Sequence, residues 1–85
     1  MSAAAYPNPA TDQTTLSYTL KNEEAVSISL FDAYGQFIST LETSNRKVPG
    51  TYLLDVGTQS LQSGVYEARI VSESGTKTVK VIVVR

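Results

Sequence analysis

The groups in this chain with reactive chemistry are eight carboxylates, seven basic side chains, five tyrosines and a scatter of hydroxyls, with no histidine and no cysteine. The missing histidine removes the commonest general base and the commonest metal ligand together. It also excludes a Ser–His–Asp triad and its cysteine variant. A Ser–Lys pair would arise by chance on any hydroxyl-rich β surface. Glycosidic chemistry needs two carboxyls converging on one bond. Here Asp12, Asp32, Asp55, Glu23, Glu24, Glu42, Glu67 and Glu73 fall in turns or on polar strand faces, so a solvated surface is the better reading. Asp32 and Asp55 sit at strand ends, but calcium needs several oxygen ligands at fixed spacing, and no such loop is present. No glycine-rich phosphate loop occurs. The expectation is a non-catalytic protein with no cofactor and no metal.

The elements that position these residues read as strands. Leu16, Tyr18 and Leu20 alternate with Thr15, Ser17 and Thr19, the period of a half-buried strand. Val26, Ile28 and Leu30 alternate with Ser27 and Ser29. Ala33-Tyr34-Gly35 then closes a tight turn, with Gly35 free to take positive φ. A returning strand spans Gln36 to Glu42; its apolar set Phe37, Ile38 and Leu41 breaks alternation and predicts a bulge or an edge. Thr43 to Lys47 reads as a polar loop, and Thr51 to Val56 as the next strand. Leu61 is expected to plug the core from a short helical turn. Gly64 to Ser72 and Thr76 to Arg85 make a terminal hairpin. In it Tyr66, Ala68 and Ile70 share one face, Glu67, Arg69 and Val71 the other. Val79, Val81 and Val83 alternate with Thr78, Lys80 and Ile82. Ahead of all these, Tyr6-Pro7-Asn8-Pro9 is a rigid extended segment that suits a sheet edge but not a sheet centre. The pattern is all-β: an antiparallel sandwich of about seven short strands.

The chain has 85 residues and a net charge of −1, with 41% apolar and 18% charged residues. That is enough for one domain and one modest core. The scattered lysines and arginines form no basic stripe, so no nucleic-acid footprint is expected. No apolar run approaches the length of a membrane helix. Met1 to Ala5 lacks the features of a signal peptide; residues 1–5 are expected to be a linker remnant ahead of a domain at 6–85.

Four stretches carry a resemblance: Tyr6-Pro7-Asn8-Pro9-Ala10; Leu30-Phe31-Asp32-Ala33-Tyr34-Gly35-Gln36; Leu61-Gln62-Ser63-Gly64-Val65-Tyr66 with Arg69; and Lys77-Thr78-Val79-Lys80-Val81-Ile82-Val83. In this order they resemble the type A C-terminal sorting domain of proteins secreted by the type IX (Por) system of Bacteroidetes. The resemblance implies an Ig-like sandwich at the end of a larger, covalently fused N-terminal cargo. It implies passage through the periplasm, recognition at an outer-membrane translocon or its shuttle protein, and removal by a sortase-like peptidase upstream of Tyr6. The cargo then stays at the cell surface or is released.

The expected recognition residues are Gly64, Tyr66, Arg69, Lys77, Lys80, Val81, Val83 and Arg85. The valine face closes the core, while the lysines and the Arg85 end stay free. Lys77, Lys80 and Arg85 are expected to act jointly, and a partner strand to add to the terminal one. For Gly64 and Tyr66 packing outweighs direct partner contact. An open strand edge offers a route to weak homodimerisation. The alternative is a carbohydrate-binding or adhesive Ig-like module using Tyr34 or Tyr52.

Overall fold

A computed structural model describes residues 1–85 as seven strands. They are β1 (Ser2–Tyr6), β2 (Gln13–Leu20), β3 (Glu24–Asp32), β4 (Phe37–Lys47), β5 (Gly50–Gly57), β6 (Gly64–Ser72) and β7 (Gly75–Val83). Two antiparallel sheets form, one ordered β1-β2-β5 and the other β4-β3-β6-β7. This is the antiparallel two-sheet sandwich that the alternation predicts, and it is consistent with the Ig-like fold that the resemblance implies.

Period-two alternation decides which side chains enter the space between the sheets. Leu16, Tyr18 and Leu20 of β2, Val26, Ile28 and Leu30 of β3, Ala68 and Ile70 of β6, and Val81 and Val83 of β7 are all at most 2% exposed. Val56, Tyr66 and Val79 complete the cluster. The tyrosine tips find acceptors, as buried phenols must. Tyr18 donates to Glu42 at 2.9 Å, Tyr66 to the Gln62 carbonyl at 2.8 Å and Tyr52 to the Val48 carbonyl at 2.6 Å. Burial first, then the bond to Glu42, pushes the Tyr18 phenol well above its ordinary range. Tyr18 and Tyr52 stack across the β2–β5 pair at 5.5 Å, with the Lys47 ammonium 4.8 Å from the Tyr52 ring centre.

Three local expectations change. Ser2–Tyr6 is not outside the domain: it pairs with β2 from Ser2↔Thr19 to Tyr6↔Thr15, and Met1, Ala3 and Ala5 pack on the core. β4 does not stop at Glu42 but runs through the polar Thr43–Lys47 stretch. As an edge strand it needs only one apolar flank, and three register shifts against β3 bend it. The segment after β5 forms a turn without helix, closed by the Leu61 amide on the Thr58 carbonyl at 3.1 Å. Leu61 still packs against the core.

The registers place opposite sets of segments at the two ends. Tyr6 to Asp12, the β3–β4 turn, the β5–β6 loop and Arg85 gather at one end, called here the C-terminal pole. Met1, the β2–β3 turn, the end of β4 and the β6–β7 turn gather at the other, the N-terminal pole.

Candidate recognition surface at the C-terminal pole

The end of β7 organises the C-terminal pole. Val81 and Val83 point into the core opposite Tyr66 and Gly64. The backbone groups of Ile82 lie in the plane of the sheet and point away from β6, to the outer edge. That edge is covered. The Ala10 amide donates to the Ile82 carbonyl at 2.7 Å, and the Val84 amide donates to the Ala10 carbonyl at 2.9 Å. The Asn8 side chain donates to the Lys80 carbonyl and accepts from the Ile82 amide, both at 2.9 Å. Ala10 is fully buried in this parallel bridge to Val83. Strand addition along the last third of β7, as expected from sequence, therefore meets an occupied edge.

Arg85 is not a free charge either. Its amide donates to Ser63 Oγ at 3.0 Å, its Nε to the Leu61 carbonyl at 2.6 Å, and its guanidinium also to the Thr58 carbonyl. Thr58 is itself fully buried. Its hydroxyl donates to the Thr11 carbonyl at 3.1 Å and its amide to the Asp12 carbonyl at 2.9 Å. The end of the chain, the loop before β6 and the segment after β1 thus form one hydrogen-bonded frame.

Beside that frame lies an open depression of about 330 Å3, walled by Asp32 and Tyr34 on one side and Gln62, Ser63, Gly64 and Tyr66 on the other. Asp32 Oδ1 accepts from the Tyr34 and Gln36 amides, both at 2.9 Å, which shapes the turn. Gly35 takes φ +80, as its turn position requires. Tyr34 stands 96% exposed on the rim. Of the two tyrosines that suit a glycan platform, Tyr52 is engaged by Tyr18, Lys47 and Val48, and Tyr34 alone is free.

The eight expected recognition residues do not form one patch. Gly64, Tyr66 and Arg85 come together at the pole. Val81 and Val83 are core. Arg69 lies on the outer face of the four-stranded sheet, 3.9 Å over the Phe31 ring and 3.7 Å from Glu67. Lys80 is on that same face, opposite Glu67. Lys77 pairs with the inward-facing Ile70 and lines a shallow hollow with Met1 and Ser74 at the N-terminal pole. Lys77 and Arg85 are thus roughly 25 Å apart along an extended strand. The three cations occupy three surfaces, so a joint cationic patch does not exist. The parity of 77 against 80 already carried that separation.

Asn8, Ala10 and Thr58 are absent from the eight residues expected from sequence, although Asn8 and Ala10 lie in a stretch that carries the resemblance. A signal for Asn8 was present: a residue between two prolines has neighbours without amide donors, so its side chain is the available partner for a facing edge. Thr58 carried no comparable signal.

No curated protein matches the chain in sequence. The family model for the secretion system C-terminal sorting domain matches residues 4–84, nearly all of it. The stretches that resemble that family wall the depression and supply Asn8, Ala10, Leu61 and Ser63, and the chain belongs to the secretion system C-terminal sorting domain family of type IX cargo.

Proposed function

We propose that the C-terminal pole is the surface that the outer-membrane translocon, or a shuttle protein delivering to it, reads on this domain, and that the cargo is attached at the opposite pole. The supporting observation is convergence. Asn8 to Asp12, the Asp32–Gly35 turn, the Thr58–Tyr66 segment and Arg85 are distant in sequence yet share one end of the molecule. A chain joined before Met1 enters at the other end, so a folded cargo leaves the pole unobstructed. The domain carries its cargo across the periplasm to the cell surface or medium. The sortase-like peptidase then cuts upstream of Ser2, because Ser2–Tyr6 is held in register with β2.

Gly64 gives the cleanest test. A Cβ there meets only Tyr66 Cε1, at 3.9 Å, an ordinary contact, and its φ is not in the left-handed region. Neither packing nor backbone requires glycine. Gly64→Ala is expected to keep or slightly raise the melting temperature, since it narrows the unfolded ensemble. Surface delivery of a fused cargo is expected to fall. Normal delivery by this variant removes Gly64 from the recognition surface.

A further inference from the structure

The geometry points to Asn8 as a positioning residue that closes the last third of the β7 edge and sets the end of the sorting signal, so that the partner reads a finished pole and adds no strand there. This rests on the function proposed above and specifies how that surface is presented.

Pro7 and Pro9 have no N–H, so this segment cannot pair with β7 as a regular strand. Asn8 substitutes for the missing backbone groups. Its carboxamide offers one donor and one acceptor, and both are used on β7, at the Lys80 carbonyl and the Ile82 amide. Regular backbone pairing resumes at Ala10, which takes the Ile82 carbonyl and the Val84 amide. Four successive outward groups are thereby occupied. Thr14 ties the clamp to β2 by donating to the Pro7 carbonyl at 3.0 Å. Opposite the clamp, Val81 and Val83 are locked in the core, and beyond it Arg85 is bonded to the Thr58–Ser63 loop. The strand end is held on its edge, its inner face and its tip. An edge that carries unpaired groups invites pairing by another chain; from Lys80 to Val84 this one is closed from within the domain.

The test compares Asn8→Asp and Asn8→Ala with the unaltered domain. Asn8→Asp keeps shape and the acceptor but turns a carboxylate oxygen toward the Lys80 carbonyl; Asn8→Ala removes both bonds. Two readouts are taken: amide hydrogen exchange at Ile82, and surface delivery of a fused cargo. In Asn8→Ala the Ile82 exchange is expected to rise about tenfold, the scale of one net hydrogen bond. Delivery is expected to fall in both variants, below that of an Ile28→Val core variant matched for melting temperature. Unchanged Ile82 exchange overturns the clamp, whatever delivery does. Faster exchange with unchanged or increased delivery also overturns the proposal, and an increase identifies strand addition to the freed edge as the mode. A fall no greater than in Ile28→Val reduces Asn8 to a stabilising residue and likewise overturns it. Loss of delivery by the unaltered domain counts against the proposed function, while Ile82 exchange still decides the clamp.

Discussion

At the N-terminal pole the turns are joined by charged side chains. Arg46 reaches Glu23 at 2.8 Å and Glu73 at 3.0 Å, with more than half of each side chain exposed. Glu73 also accepts from the Ala25 amide, and Glu24, largely buried, accepts from the Ser74 amide at 2.7 Å. At the C-terminal pole the clamp at Asn8 and the frame around Arg85 are joined instead by carbonyls, amides, hydroxyls, one carboxamide and one guanidinium, and the Asp32 carboxylate serves only its own turn. Exposed ion pairs contribute little and weaken with salt. Hydrogen bonds between uncharged groups depend on neither salt nor the titration of a carboxylate. The pole at which we place the cargo is therefore the one more exposed to solution conditions. In the clamp and the frame of the proposed signal no carboxylate takes part.

Removing Lys80–Arg85 should break this contrast most severely. It takes Val81 and Val83 out of the core, each contributing about 1.5 kcal/mol or more, together with the clamp and the Arg85 frame. Against a total stability of roughly 5–15 kcal/mol, and with the inner edge of β6 bared, cooperative melting by circular dichroism should be lost and delivery abolished. A truncated domain that melts cooperatively and delivers cargo would place the signal elsewhere.

Next comes a matched pair of arginine variants. Arg85→Ala should cost about 1 kcal/mol in stability, since only part of its bonding is shielded from water, yet lower delivery about tenfold or more, as loss of an interface anchor does. Arg46→Ala should cost no more in stability and leave delivery normal. Equal delivery by the two variants would erase the functional difference between the poles.

A smaller effect concerns acid. The hydrogen bond from Ser74 holds the Glu24 carboxyl below the usual glutamate range. Because the folded-state value lies below the unfolded one, its stabilisation is present above pH of about 4.3 and is lost as the pH falls below that value. Glu24→Gln should flatten the acid limb of the stability–pH curve measured by thermal melts. Hydrogen exchange at the N-terminal pole should report the change and that at Ile82 should not. The smallest effect is ionic: raising salt should narrow the melting difference between the unaltered domain and Arg46→Ala.

Much of this molecule was legible without its structure. Which side chains of β2, β3, β6 and β7 enter the core follows from alternation, because successive residues of a strand must face opposite ways whatever the strand pairs with. The Asp32–Gly35 turn is equally local, made by one carboxylate and one glycine within five residues. The absence of histidine and cysteine is a fact of composition. Other features belong to the tertiary structure alone. Only pairing with β2 makes a strand of Ser2–Tyr6, and only an edge position lets the polar end of β4 remain extended. Only the meeting of residues more than 70 positions apart gives Asn8 a role and closes β7. That same closure, with Arg85 drawn back onto Thr58 and Leu61, turned an expected free end into a framed one. The physical reason is range: side-chain alternation and turn chemistry act between neighbours, whereas which edge is covered, and by what, depends on how two sheets bring distant segments together.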